Sequence, residues 1–274
     1  MIDKVEVRSP SGGLLTLSLT DVTSGFVIQD IQGLDPVKAV ISSSSFAKID
    51  GSRYQSSRRE SRNLVLKIQL EPDYVTTSVR DLRNTLYNFF MPKTEVNLRF
   101  YVDDEDLVVN IAGRVEDFTS ELFTKEPSVS ISIICFEPDF VVNSSTTVSG
   151  STVSTSTTFE INYNGTVDGG ITFALSLNRS LSEFTIYHNP PDGTLRTLDF
   201  AESLVSGDVL TICTIPGSKA VTLRRSSVDT SLLQAMSPQS DWLQLQKGIN
   251  TLRVYATGAA VPFTIVYAER HGGL

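Results

Sequence analysis

Between Asn63 and Val102 the hydrophobic period changes twice, and that change constrains the fold around it. Leu64, Leu66, Ile68 and Leu70 alternate with Val65, Lys67 and Gln69, the period of two expected of a half-buried strand. Val79, Leu82, Leu86, Phe89 and Phe90 then fall at three- and four-residue steps, with Arg80, Asp81, Arg83, Asn84 and Asn88 facing elsewhere. That spacing predicts one amphipathic helix over about 77–91. Thr77 or Ser78 is placed to cap its start, Asp81 suits the positive N-terminal end, and Pro92 stops it. Val96, Leu98, Phe100 and Val102 restore the period of two. The expectation is strand, helix, strand, with the N-terminal sheets folded around the apolar stripe of the helix. No other stretch reads convincingly as helix.

A chain of 274 residues is long enough for two domains, each with a core. Its 40% hydrophobic and 20% charged content is that of a soluble globular protein. No apolar run approaches the length of a membrane span, and Met1-Ile-Asp-Lys4 does not open like a signal peptide. The expectation is therefore no membrane insertion and synthesis in a cytoplasm. A net charge of −8 argues against nucleic-acid binding through the overall field. Cys135 and Cys213 lie far apart in apolar strand patterns and read as buried free thiols.

The rest of the chain reads as strand and turn. Leu14 to Leu19 alternates, Gly25 to Ile28 is rich in β-formers, and Val37 to Ile41 follows the turn-like Gly33-Leu-Asp-Pro36. Ser42 to Arg62 has no apolar period and reads as a long loop or extended arm carrying Arg53, Arg58, Arg59 and Arg62. Asp103-Asp-Glu-Asp106 reads as a hairpin tip between two strands, and Ser128 to Cys135 alternates cleanly. Asn143 to Thr158 is almost entirely Ser, Thr, Val and Gly, with no charge. It is the expected boundary, with β-branched content that allows part of it to pair as an edge strand. The resulting division is an N-terminal domain over 1–142, a linker over 143–158 and a C-terminal domain over 159–274. Short strands at regular spacing after Thr158 predict a β-sandwich.

Chemistry-bearing constellations are scarce. His188 and His271 are the only histidines and have no clustered ligands around them in sequence. There is no nucleophile elbow and no phosphate-binding loop, so neither an enzyme nor a bound cofactor is expected. Asp103, Asp104, Glu105 and Asp106 read as a solvated tip; a cation site would space its acids and use a glycine, and contact with a neighbouring subunit is the sharper reading. For Arg53, Arg58, Arg59 and Arg62 three readings stand: a solvated loop, pairing with carboxylates of another subunit, or phosphate binding. Subunit contact is the functional reading that best suits arginine, whose planar fork pairs with carboxylates in two prongs. Trp242 lies beside Leu243 and Leu245 and reads as core; the alternative is an exposed platform for a sugar.

One resemblance spans the chain. Ser132-Ile-Ile-Cys-Phe-Glu-Pro-Asp139 closes the first half. Phe200, Gly207-Asp-Val-Leu-Thr-Ile212, Trp242-Leu-Gln-Leu-Gln-Lys-Gly-Ile-Asn250, Phe263-Thr-Ile-Val-Tyr267 and Arg270-His-Gly-Gly-Leu274 follow in order. Together with the length and the single helix, these segments resemble the distal tail protein (Dit) family of long-tailed bacteriophages. The resemblance implies a mainly β fold: a sandwich or barrel-like ring domain with one helix, then a galectin-like β-sandwich. It implies a virion protein at the distal end of the tail, a structural hub without catalytic residues or cofactors. It further implies a homo-hexameric ring that continues the DNA channel without binding DNA specifically. The partners it implies are the tail tube protein, a tail-tip or tail-associated protein, and receptor-binding or side-fibre proteins. A second function class, a carbohydrate-binding module for host cell-surface glycans, competes with it. No segment is large enough to be an inserted glycan-binding domain.

Overall fold

The computed structural model of the chain describes all residues except 1, 20–22, 48–49, 103–105 and 122. The chain divides into two compact units, residues 1–143 with 271–274, and residues 144–270. Each is mainly β, and the single α-helix among the described residues lies in the first.

The first unit contains β1 (Ile2–Arg8), β2 (Leu14–Ser18), β3 (Phe26–Gln32), β4 (Ala39–Ser44), β5 (Arg53–Arg59), β6 (Arg62–Leu70), α1 (Val79–Phe90), β7 (Glu95–Val102), β8 (Leu107–Glu121), β9 (Ser128–Cys135) and β10 (Phe140–Val142). Its main sheet runs β2-β1-β7-β8-β9-β6-β3, with β10 on β8. β8 does two jobs. Its first half pairs with β7, as Leu98↔Ile111, and its second half with β9, as Phe118↔Ile131. The changeover falls at Gly113–Arg114, where a Cβ on Gly113 would lie 2.6 Å from Ile133 and 2.8 Å from the Cys135 sulfur, so the residue has to be glycine. β6 shows the predicted alternation, with Leu64, Leu66, Ile68 and Leu70 buried. Each such leucine removed from water is worth roughly 1.5–3 kcal/mol.

Helix α1 starts where expected. The Ser78 hydroxyl accepts from the Asp81 amide at 3.3 Å, and the Asp81 carboxylate accepts from the Ser78 amide at 3.1 Å, closing a capping box. The sheets do not fold around it, however. It contributes Leu82, Leu86 and Phe90 to a core otherwise built by inward-facing strand residues. The reason is capacity: a sheet that turns onto itself buries the alternate residues of every strand, whereas a twelve-residue helix offers one stripe.

Two further expectations become specific. Of the long loop and the extended arm that Ser42–Arg62 allowed, the structure has the arm, built from strands. β4 and β5 pair from Ala39↔Arg59 to Ser44↔Arg53 as a separate two-stranded hairpin. It shows no apolar alternation because neither face rests on a core. The stretch 143–158 pairs in part as an edge strand, as its β-branched content allowed. It carries β11 (Thr146–Ser151), which pairs along its whole length with a strand of the second unit, Thr146↔Tyr267 to Ser151↔Pro262. Its small residues fit because an aromatic lies over them: a Cβ on Gly150 would meet the Phe263 ring at 2.6 Å.

The second unit continues with β12 (Phe159–Tyr163), β13 (Gly169–Gly170), β14 (Thr172–Ser176), β15 (Leu181–Asn189), β16 (Arg196–Leu204), β17 (Val209–Cys213), β18 (Ala220–Arg225), β19 (Val228–Ser231), β20 (Gln244–Leu245), β21 (Gly248–Tyr255) and β22 (Pro262–Tyr267). These form a six-stranded sheet, β11-β22-β14-β17-β18-β19, a four-stranded sheet, β12-β21-β15-β16, and a separate pair, β13-β20. Phe173 and Phe263 on the first sheet meet Phe184 and Phe200 on the second, with successive ring centroids 5.2–5.9 Å apart. That aromatic layer makes the unit a sandwich. Cys135 is buried, and burial pushes its thiol up to about 12; Cys213 is only half-buried. Trp242 is half-buried against the core, with the Lys219 ammonium 5.3 Å from its ring centroid.

Asn250 is the polar centre of the second unit. Its side-chain carbonyl accepts from the Gln246 amide at 2.9 Å and sits 3.0 Å from His188 Nε2. Its amide donates to the carbonyls of Gln246 and Gly248 at 2.7 and 3.0 Å. With that oxygen acting as acceptor, His188 Nε2 carries the proton, and its buried Nδ1 has no partner among the described residues. Asn250→Ala is expected to cost about 2 kcal/mol in denaturant unfolding, because it orphans several buried groups at once. Burial also lowers the His188 pKa below its usual value near 6.5, against the pull of Asn250. The folded state therefore holds a neutral imidazole. As pH falls below about 6.5 the unfolded chain takes up a proton that the folded chain refuses, so stability is lost on the acid side. Denaturation midpoints between pH 7 and 5 should fall, and the slope should flatten in His188→Gln.

Candidate assembly interface

Among the described residues, the β4–β5 hairpin contributes none to the core of the first unit. Every residue of β5 is exposed, and most of β4 is. Ile41, Phe46 and Tyr54 are 65%, 55% and 62% exposed. An isolated two-stranded ribbon is at best marginally stable in water. Residues 39–59 also carry four basic side chains, Lys48, Arg53, Arg58 and Arg59, against one acid, Asp50, in a protein of net charge −8. Arg53 and Arg58 form no ion pair among the described residues.

The base of the hairpin is fixed. Arg59 forms a two-pronged pair with the buried carboxylate of Asp139, the second prong at 2.9 Å. Arg62, three residues on, is 1% exposed. Its guanidinium donates to the carbonyls of Pro138 at 2.7 Å, Asp35 at 2.8 Å and Gly272 at 2.6 Å, and also to Gly33. It lies 4.4 Å from the Phe140 ring centroid. Gly33 can offer its carbonyl because it adopts φ +88°; a Cβ there would lie 2.0 Å from the Asn63 carbonyl oxygen. Burial lowers the Arg62 pKa, with Cys135 and Asp139 opposing, and from so high a starting value the group stays charged.

These positions sort the eight residues singled out in the sequence. Arg53 and Arg58 stand on the exposed hairpin. Arg59 is committed to Asp139 within its own chain. Arg62 cannot meet another subunit at all; it is an internal clasp, because its side chain enters the core side of β6 where four carbonyls wait. Asp106 is exposed at the β7–β8 turn, and Asp103, Asp104 and Glu105 lie outside the described residues. Sequence reasoning overlooked Asp139 as a partner; the signal available was a carboxylate immediately before the apolar run Phe140-Val-Val142. Among the described residues no group of His, Cys, Asp or Glu is arranged to hold a metal ion, and no helix is long and apolar enough to cross a membrane.

The fold and the sequence families agree on a class. Residues 15–135 match the model of a phage tail protein RIFT-related domain, and residues 164–271 match the C-terminal domain of a siphovirus-type tail component. This is a structural phage tail protein and not an enzyme. The chain belongs to the distal tail protein (Dit) family of siphovirus-type phages. The crystal structure of Dit from phage SPP1, described as a paradigm of the hub adsorption apparatus in phages infecting Gram-positive bacteria, superposes with a TM-score of 0.70 at 17% identity. The match covers 97% of this chain and 98% of that one. A chain of the phage P2 baseplate in its activated, Ca-bound conformation is less similar, with a TM-score of 0.48 at 11% identity over 97% and 98% of the two chains. No curated protein sequence matches significantly.

Proposed function

We propose that this chain is a ring-forming hub at the distal end of a phage tail. Six copies close a ring that continues the channel for DNA and joins the tail tube to tail-tip and host-recognition proteins. The observation that supports this best is the β4–β5 hairpin: ordered strands, two solvent-facing sides, three exposed large apolar residues and a local excess of positive charge. A ribbon of that kind gains stability by lying on a neighbour. A basic arm on an acidic protein finds its complement on another copy. Self-association through an arm is heterologous, so it closes into a ring or runs on as a filament.

Hydrogen exchange tests the role of the hairpin. Amides of β4 and β5 should exchange rapidly in dilute protein and become strongly protected as concentration rises, while β6 and β9 stay protected throughout. Exchange in the hairpin that is independent of concentration would remove it from the interface.

A further inference from the structure

The second unit carries a cavity of about 460 Å³ on the outer face of its four-stranded sheet. Its floor is formed by side chains of β15, β16 and β21, and the segment around Gln234–Pro238 forms its wall. The volume lies within the range of small-ligand sites. We propose that this cavity binds a neutral saccharide ring. The site is confined to the second unit and the hairpin belongs to the first, so failure of one reading leaves the other standing.

Three observations carry the proposal. The first is a pair of aromatic rings, Tyr187 and Tyr255, both lining the cavity. The Arg253 guanidinium lies 4.0 Å from the centroid of one and 5.8 Å from that of the other, which holds them as a braced platform. An aromatic face suits the C–H side of a sugar ring, with the phenolic hydroxyls at hand for its polar edge.

The second is a set of hydrogen-bonding groups left unused by the protein. Asp199 spends one carboxylate oxygen on the Thr185 hydroxyl at 2.7 Å, and its other oxygen has no partner among the described residues. Glu183, diagonal to Asp199 across β15 and β16, has none for either oxygen. Gln234 and Thr257 add an amide and a hydroxyl at the rim. Sugar hydroxyls donate well to ionised carboxylates. Two carboxylates repel an anion, and a cation is the competing ligand that a cationic control distinguishes. Aromatic rings beside carboxylate acceptors, an amide and a hydroxyl suit a neutral polyol.

The third is preorganisation. The wall is tied to β16: the Ser237 amide donates to the Asp199 carbonyl at 3.0 Å, and the Ser240 hydroxyl accepts from the Asp199 amide at 2.9 Å. The Asp241 amide donates to the Thr197 carbonyl at 2.7 Å. A cavity held open by such bonds needs little rearrangement to bind.

The test is calorimetric titration of the full chain with oligosaccharides of glucose, galactose and N-acetylglucosamine, and with trilysine as a cationic control. The expected result is saturable binding of at least one neutral oligosaccharide and none of trilysine. Tyr255→Ala should weaken that binding at least tenfold, and Glu183→Gln with Asp199→Asn several-fold. Tyr255→Phe should stay within about threefold, since stacking survives. Glu183 is exposed, so its substitution should leave the fold intact, and a thermal melt matching the parent checks that variant. No saturable sugar binding would overturn the proposal. So would sugar binding indifferent to both Tyr255→Ala and the Glu183/Asp199 pair, or binding of trilysine in preference to every sugar.

Discussion

Arg62→Met is expected to destabilise the first unit by about 3–5 kcal/mol, read as a shift in its denaturant unfolding midpoint. Methionine fills much of the volume and removes the charge, so the loss isolates the hydrogen bonds. Four carbonyls, on Gly33, Asp35, Pro138 and Gly272, converge on one buried guanidinium. Without it they face one another with no donor, and each buried orphan costs about 1–3 kcal/mol, less where water can enter. Arg62→Lys keeps the charge but loses the planar fork, and should fall between the two. The clasp also ties three distant stretches together, since its acceptors come from the segment after β3, the segment before β10 and the chain end at Gly272. Trimming residues 272–274 should therefore lower the same midpoint by a smaller amount. An Arg62→Met protein as stable as the parent would mean that water reaches those carbonyls and that the arginine is not their principal donor.

Charge reversal at the hairpin is expected to act on assembly and not on folding. Arg53→Glu with Arg58→Glu converts the basic arm to an acidic one, on residues that are exposed and make no ion pair among the described residues. Like charges across an interface cost several kcal/mol, enough to abolish a ring held by repeated copies of one contact. Sedimentation velocity should show the oligomer replaced by a 30.0 kDa species with an unchanged unfolding midpoint. Arg59 is the wrong residue for this test, because reversing it breaks its own pair with Asp139 and confounds assembly with stability. An oligomer that survives both substitutions would place the interface elsewhere.

The contrast between Arg62 and Arg58 shows what the sequence makes legible. Arg62 stands two residues before Leu64, in phase with Leu64, Leu66, Ile68 and Leu70, so its parity already points inward. Grouping it with the other arginines by proximity hid that. His188 is the same case, in phase with Phe184 and Ile186 along β15. The strands, the helix with its cap and the sandwich of the second unit were readable because each rests on a local period or a local turn. The hairpin was not, because period two marks a strand only when one of its faces is buried, and β4 and β5 bury neither. The cavity on the second sheet was beyond reach for a different reason. Tyr187, Asp199, Gln234 and Tyr255 come from four separate segments, and only the pairing of β15 with β16 and β21 brings them together. Trp242, the aromatic that composition singles out, lies outside that lining.

Negative-stain electron microscopy of the purified chain at high concentration tests most directly whether this protein acts by assembling. Closed rings of six-fold symmetry around a central channel, lost in the Arg53/Arg58 reversal, are the predicted result. A field of solitary particles at every concentration, unchanged by adding the tail tube protein, would contradict it.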